Sequence, residues 1–224
     1  MVAQVKTFSF WKRLQEIGMF FEGKGPEHKT LRRLVKRLEK AEIPYAVMGA
    51  MAVNAHRHER TTKDVDVLVT AKGYSEFCRR FVPKNYEQFE GRPRRMRDRQ
   101  SQVTINFLIA GHFPGSGKPG PIAFPDPEQV SEVIQDARVV DLPTLIQLKL
   151  AARRHYDFGD VAHLIAVHDF DESFLAKLHP SVHGDFIECL EEKRREDEYE
   201  KTQDRAVEEM MRDSKKRKYP KGKR

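Results

Sequence analysis

Apolar residues recur at helical spacing from His28 to Ala41, where Leu31, Leu34, Val35 and Leu38 form one stripe, and this predicts a first helix. Ile43-Pro44 ends it. The apolar run YAVMG then reads as a strand, AMAVNAH as a short helix over 51–56, and TKDVDVLVT as a second strand. In that strand Val65, Val67 and Val69 share one parity, while Asp64, Asp66 and Leu68 share the other. The pattern continues with a helix over Lys72 to Phe81, its Tyr74, Phe77 and Cys78 turned inward. Strands follow near Arg94 to Arg97 and at Val103 to Ile109, with short extended runs at Glu132 to Ile134 and Arg138 to Val140. Between them, GHFPGSGKPGPIAFPDP is too rich in Gly and Pro for regular structure and is expected as a surface loop. Pro143 suits the first turn of a helix LPTLIQLKLAARR, and VAHLIAVH continues as another. From Pro180 onward a long helix mixes both charge signs over a thin apolar stripe, so it projects from the body or packs only at its start. Alternating helices and strands of this kind predict an α/β (α+β) fold, a mixed sheet flanked by helices.

The second strand carries the candidate chemistry. A period of two points Asp64 and Asp66 to one side, roughly 7 Å apart at the backbone. Two carboxylates that close raise each other's pKa unless a cation lies between them. Hard oxygen ligands of this kind suit Mg²⁺, which takes one or two protein carboxylates and completes its shell with water and phosphate. An ordinary strand with a solvated acidic face is the plain alternative. The upstream context weighs against it: Gly49-Ala50 lies at a strand-to-helix turn, where a glycine allows close approach of backbone and phosphate.

Met48-Gly49-Ala50, a spacer ending in Arg60-Thr61-Thr62-Lys63, and Asp64-Val65-Asp66 together resemble the signature of the nucleotidyltransferase superfamily typified by DNA polymerase beta. The R-T-T-x-D-h-D-h string, the later LKLAA at Leu148 to Ala152 and the paired Asp157 and Asp160 look most like one branch. That branch contains the abortive-infection toxin nucleotidyltransferases and their bacterial relatives. The resemblance spans roughly Thr30 to Val167. It implies that Asp64 and Asp66 hold Mg²⁺ on an NTP, that Gly49 and Ala50 approach its phosphates, and that Arg60 and Thr61 position those phosphates or brace the aspartate strand. It ties Lys149, Asp157 and Asp160 to nucleotide handling, while the residues alone favour Asp157 as a brace and leave Asp160 able to cap or brace the helix VAHLIAVH. The reaction implied is transfer of NMP to a hydroxyl, on RNA or protein, in a bacterial cytoplasm, with an antitoxin-like protein as a candidate partner. The superfamily's third carboxylate falls here on Asn106, a neutral amide that takes no proton and is a weak metal ligand. A second metal is therefore doubtful, and a catalytically impaired nucleotide- or RNA-binding module is the alternative. A scaffold docking through the C-terminal helix is a third reading.

Composition narrows the classes. No apolar run approaches the ~20 residues of a membrane span. The N-terminal segment lacks the uninterrupted apolar stretch of a signal peptide and reads as an amphipathic arm. Two distant cysteines, Cys78 and Cys189, fit a reducing cytoplasm. Of 41 basic residues seven lie in the last eleven, SKKRKYPKGKR, and the other 34 balance the 34 acids, so the tail carries the whole net charge of +7. Such a tail either binds nucleic acid or merely solubilises the chain end. RPRRMRDR, from Arg92 to Arg99, is a second basic cluster, either a hairpin arm facing substrate or an edge strand guarded by charge. Gly117-Lys118 is no P-loop, because Pro119 stands where Ser or Thr is needed. The expected organisation is an arm (1–27), a nucleotidyltransferase-like domain (28–170), a helical extension (171–213) and a disordered basic tail (214–224).

Overall fold

Strand pairing organises the chain around a mixed seven-stranded sheet in the order β3-β4-β5-β2-β1-β7-β6. The computed structural model describes residues 10–218. Of the central strands, β1 (Tyr45–Met48) is buried throughout, whereas β2 (Asp64–Val69) and β5 (Thr104–Ile109) alternate, burying Val65, Val67, Ile105 and Phe107 and leaving Asp64, Asp66, Thr104 and Asn106 half-buried on the other face. β1 runs antiparallel to β2, while β2 runs parallel to β5 with Asp66 opposite Asn106. β7 (Ala137–Val140) lies parallel to β1 and carries the hairpin partner β6 (Ser131–Ile134). On the other side β4 (Arg92–Asp98) joins β5, and β3 (Tyr86–Phe89) closes the sheet. β4 is therefore an internal strand, which removes the reading of RPRRMRDR as a charge-guarded edge.

Each helix follows from a local signal. α1 (Phe10–Phe21) anchors through Phe20, which is buried with its ring 4.7 Å from that of His28. The first nine residues of the expected arm lie outside the described ones. α2 (Pro26–Lys40) begins two residues before the expected start because Pro26 fits the first turn; it buries Leu34, Val35 and Leu38. α3 (Gly49–Ala55) starts at Gly49 itself, ahead of the expected Met51. The Thr70 hydroxyl accepts from the Gly73 amide at 3.0 Å to cap α4 (Ala71–Phe81). From α4, Phe77 packs on Phe107 and Tyr86 at ring separations of 4.8 and 5.0 Å, fixing that helix to the β3–β5 side of the sheet. Asp141 caps α5 (Leu142–Ala152), accepting from the Thr144 amide at 2.8 Å. α6 (His155–His168) starts earlier than VAHLIAVH suggests, so Asp157 and Asp160 lie within it and cap nothing.

No helix or strand forms between Ile109 and Ser131, as the Gly and Pro content predicts, yet the segment is pinned by Ile122 and Phe124, both buried. After two 3₁₀ turns, α7 (His183–Lys218) buries Phe186, Cys189 and Leu190, and from Glu191 to Arg212 its side chains are mostly exposed. The basic tail beyond Lys218 lies outside the described residues. No helix among those described is long and apolar enough to cross a membrane.

One buried ion pair ties α2 to the β4–β5 turn. The Arg33 guanidinium donates to Asp98, which is 1% exposed, and Asp98 also accepts from the Ser101 hydroxyl at 2.9 Å and the Gln100 amide at 3.2 Å. Burial alone would raise the Asp98 pKa, but Arg33, Ser101 and Gln100 outweigh it and hold the carboxyl below its ordinary value of 3.8. A depressed carboxylate stabilises the fold above its unfolded pKa, and that gain disappears as pH falls through the folded value. Asp98→Asn should lose about 3 kcal/mol at neutral pH by stranding Arg33. Urea titrations from pH 7 to pH 3 should show the gap between wild type and variant narrowing below about pH 4.

Candidate functional site

Pairing on β2 and β5 brings three of the expected site residues together. Asp64 and Asp66 share a face of β2, and Asn106 stands opposite Asp66 on β5. The Asn106 amide nitrogen donates both of its N–H groups, to Asp64 Oδ2 at 3.0 Å and to Asp66 Oδ1 at 2.9 Å. One neutral amide thus bridges two carboxylates that would otherwise repel. Asp64 is also held from the other side by the Thr62 hydroxyl, which donates to Oδ1 at 2.6 Å.

Gly49 has a use that the sequence pattern does not reveal. It sits at φ +62°, and a Cβ there would overlap Asp66 Oδ2 and come within 2.8 Å of Cγ. The missing side chain makes room for the Asp66 carboxylate, where a phosphate had been expected to approach. Burial first, and the Asp64 charge second, push the Asp66 pKa above its ordinary value of 3.8. The Asn106 hydrogen bond and the charges of Arg154 and Lys149 pull it back in part. Ala50 is buried just behind this turn.

The remaining expected residues form a charged chain beside the pair. Lys149, 6% exposed, donates to Asp160 Oδ2 at 2.5 Å and reaches Asp157 Oδ1 at 3.3 Å. The Arg60 guanidinium also donates to Asp160, and Arg154 Nε donates to Asp157 Oδ2 at 2.6 Å. Arg60, Asp160, Lys149, Asp157 and Arg154 thus join the loop before β2 to α5 and α6. In this structure Arg60 braces Asp160. Thr61 is exposed, and the hydroxyl that braces the aspartate strand belongs to its neighbour Thr62. Asn54 on α3 completes the loop anchor, donating to the Arg60 carbonyl at 2.5 Å and accepting from its amide at 3.1 Å. Sequence reasoning missed Thr62, Asn54 and Arg154. The only signal for them was a polar residue next to a recognised motif.

Mg²⁺ is the group the family resemblance implies, and the donor set fits one such ion. Two hard carboxylates lie on one face of β2, with Asp64 Oδ2 and Asp66 Oδ1 converging on the single Asn106 amide nitrogen at 3.0 and 2.9 Å. Among the described residues no group of three or more His, Cys, Asp or Glu is placed to hold a metal, so a second ion lacks a protein carboxylate of its own. A cavity of about 730 Å³ opens elsewhere, between α1, α2, α3 and the β6–β7 hairpin; it touches Asn54 but neither aspartate.

No family model matches this chain, and no curated protein does. Among solved structures it is similar to one described as "putative nucleotidyltransferase from H. pylori". The identity is 16% and the TM-score 0.41, over 67% of this chain and 72% of that one. It is also similar to JHP933 from Helicobacter pylori, at 16% identity and TM-score 0.40, over 67% and 70% of the two chains. Likenesses this distant transfer no residue's role and no activity. The mixed α/β architecture described above stands on its own strand order.

Two outcomes test the geometry. Gly49→Ala should cost on the order of 3 kcal/mol, combining left-handed strain with displacement of Asp66. Gly91→Ala, at φ +67° with nothing within 4 Å of the added carbon, should cost only about 1 kcal/mol. Equal losses in thermal melts would mean that Asp66 does not depend on the gap. For Asp66 itself, a raised carboxyl pKa means that ionisation destabilises the folded state, a penalty absent below the unfolded pKa and complete above the folded one. Asp66→Asn should therefore raise the melting temperature in EDTA at pH 7, and the gain should vanish near pH 3.

Proposed function

We propose that this chain is a nucleotidyltransferase-fold protein that binds an NTP at Asp64 and Asp66 and transfers its NMP to an acceptor hydroxyl, releasing pyrophosphate. The observation that carries this reading is the carboxylate pair on one face of β2, seated over Gly49. Asp64 and Asp66 would hold Mg²⁺, which when bound neutralises triphosphate charge and polarises the phosphoryl oxygens. The chain's own contribution is preorganisation. Thr62 and Asn106 fix Asp64, while Asn106 and the Gly49 gap fix Asp66, so neither carboxylate has to be ordered when substrate arrives. The charges of Arg154 and Lys149 reach Asp66 and favour an incoming polyphosphate on that side.

In the reaction the acceptor oxygen forms a bond to the α-phosphorus, and the bond from that phosphorus to the oxygen bridging to the β-phosphate breaks. The hydroxyl proton goes to water or to one of the two aspartates. Asn106 cannot take it, and Asp160 is already held by Lys149 and Arg60. Asn106 also supports the second reading, a nucleotide-binding module with little or no turnover, because an amide occupies the position where the family resemblance implies a third carboxylate.

The deciding experiment incubates the protein with each α-labelled NTP and Mg²⁺, following pyrophosphate release and, by calorimetry, NTP affinity. Wild type should bind NTP only with the metal, and Asp66→Asn should lose at least tenfold in affinity while remaining folded. Unchanged affinity in that variant would refute the site. Asn106→Asp should raise turnover if a third carboxylate is what the site lacks. The same variant should melt lower in EDTA and recover with Mg²⁺, because three carboxylates then repel one another.

A further inference from the structure

We propose that the projecting half of α7 pairs antiparallel with α7 of a second copy of this chain, centred near Val207. Residues 196–200 of each copy then lie against residues 215–218 of the other. Among the described residues, Leu190 is the last buried one of α7. From Glu191 to Arg212 every residue is exposed except Lys193 and Asp197, which are half-buried and pair with each other at 3.1 Å. At 1.5 Å per residue, the stretch from Glu191 to the end of the helix at Lys218 is roughly 40 Å long. Helices in proteins draw most of their stability from packing one face, and this stretch packs on nothing in its own body.

One face of it is apolar. At about 100° per residue, Tyr199, Ala206 and Met210 fall within roughly 40° of one another, with Gln203 and Val207 beside them. Tyr199 is 66% exposed, Met210 65% and Val207 43%, so these side chains have surface left to bury. The apolar positions span only about three helical turns, too few to hold a coiled coil by themselves. Charge therefore has to choose the partner and its direction.

The charges are arranged in two opposite blocks. Residues 196–200, EDEYE, hold four acids and no base, whereas residues 215–218, KKRK, hold four bases and no acid. Glu196, Glu198 and Glu200 form no salt bridge among the described residues. A parallel pair would set acid on acid and base on base. An antiparallel pair sets each block on its opposite. The blocks are centred at residue 198 and between 216 and 217, so the two-fold axis that superposes them passes near Val207. That point lies inside the exposed apolar stretch, so charge and hydrophobicity, two independent features, select the same centre. The paired length then runs from 196 to 218 and stops short of Leu190, so the described helix of each copy ends before it reaches the other's body. A nucleic acid would use the bases but leave the acid block and the apolar face without a partner. The pairing does not depend on the chemistry at Asp64 and Asp66.

Sedimentation equilibrium of the full chain at about 0.05 M salt should show a monomer–dimer equilibrium that weakens at least tenfold at about 0.5 M, because exposed charge pairs are screened. Reversing the basic block with Lys215→Glu, Lys216→Glu, Arg217→Glu and Lys218→Glu should weaken self-association at least tenfold. Reversing the acidic block with Glu196→Lys, Asp197→Lys, Glu198→Lys and Glu200→Lys should do the same. Mixed together, the two variants should associate as tightly as wild type. Chains carrying Glu198→Cys and Lys216→Cys, mixed and oxidised, should cross-link to each other, while Glu198→Cys alone should not cross-link to itself. Melting temperatures should stay at the wild-type value throughout, since all these positions lie beyond the last buried turn of α7. A wild-type chain that remains monomeric at about 100 μM overturns the proposal. So does a dimer indifferent to both reversals, which would use another surface, or a self-cross-link through Glu198→Cys, which would mean a parallel pair. A monomer that binds RNA and loses it on reversal of the basic block would also overturn it, assigning those bases to nucleic acid.

Discussion

Placing the Asp66 carboxylate in a shielded gap beside a second carboxylate, Asp64, is the constraint around which this part of the molecule is arranged. Two carboxylates on alternate positions of an internal strand cannot separate without breaking the β2 ladder, and one of them is largely shielded from water. Several surrounding features reduce the resulting cost. Asn106 supplies two N–H groups between the pair, and Thr62 supplies a hydroxyl on the outer side of Asp64. Gly49 provides the space in which Asp66 sits. The compensation is incomplete, since the Asp66 pKa is still raised. A bound cation would favour the ionised form of a carboxyl that burial and its neighbour disfavour.

The cations nearby are held one step back. Lys149 is buried between Asp157 and Asp160, and Arg60 and Arg154 close the two ends of the chain. A buried chain of this kind adds little net stability compared with apolar packing, but removing one member strands the others. Its effect is to fix the β2-side loop against the α5–α6 pair, so that positive charge reaches Asp66 without pairing with it directly. Direct salt bridges to Asp66 would have cancelled the charge that the proposed metal complex needs.

The sequence was most readable where one period dominates. The alternation in DVDVLV placed both aspartates on one face, and the stripe of α2 and the inward Phe77 of α4 followed from spacing alone. β3 was not recognised, because YEQF is four residues long with charged and amide side chains where a strand pattern needs apolar ones. Without β3, an edge strand remained one of the two readings open for RPRRMRDR. The boundary errors have a common cause: Pro26, Gly49 and His155 each open their helix before its apolar pattern begins. At the site, Asp64, Asp66 and Asn106 could be found from motif and register, whereas Thr62, Asn54 and Arg154 act through contacts between loops and helices that no short-range pattern encodes. Gly49 was expected to let a phosphate approach the backbone; in the structure the group that fills its gap is the protein's own Asp66 carboxylate.

An amide at Asn106, where the family resemblance implies a carboxylate, has two opposite consequences. A carboxylate in its place would add a third negative charge to a pair already under strain, and the apo fold would need a bound cation to tolerate it. The amide removes that demand and adds two hydrogen bonds to the pair, so the site is held in shape before any metal arrives. The amide also leaves the β5 side of the pair without an anionic ligand or a proton acceptor. Under the proposed nucleotidyl transfer, preorganisation on the NTP side would be gained at the expense of activating the acceptor hydroxyl. Asn106 would then affect the chemical step more than nucleotide binding, because that step would proceed without a dedicated base on β5.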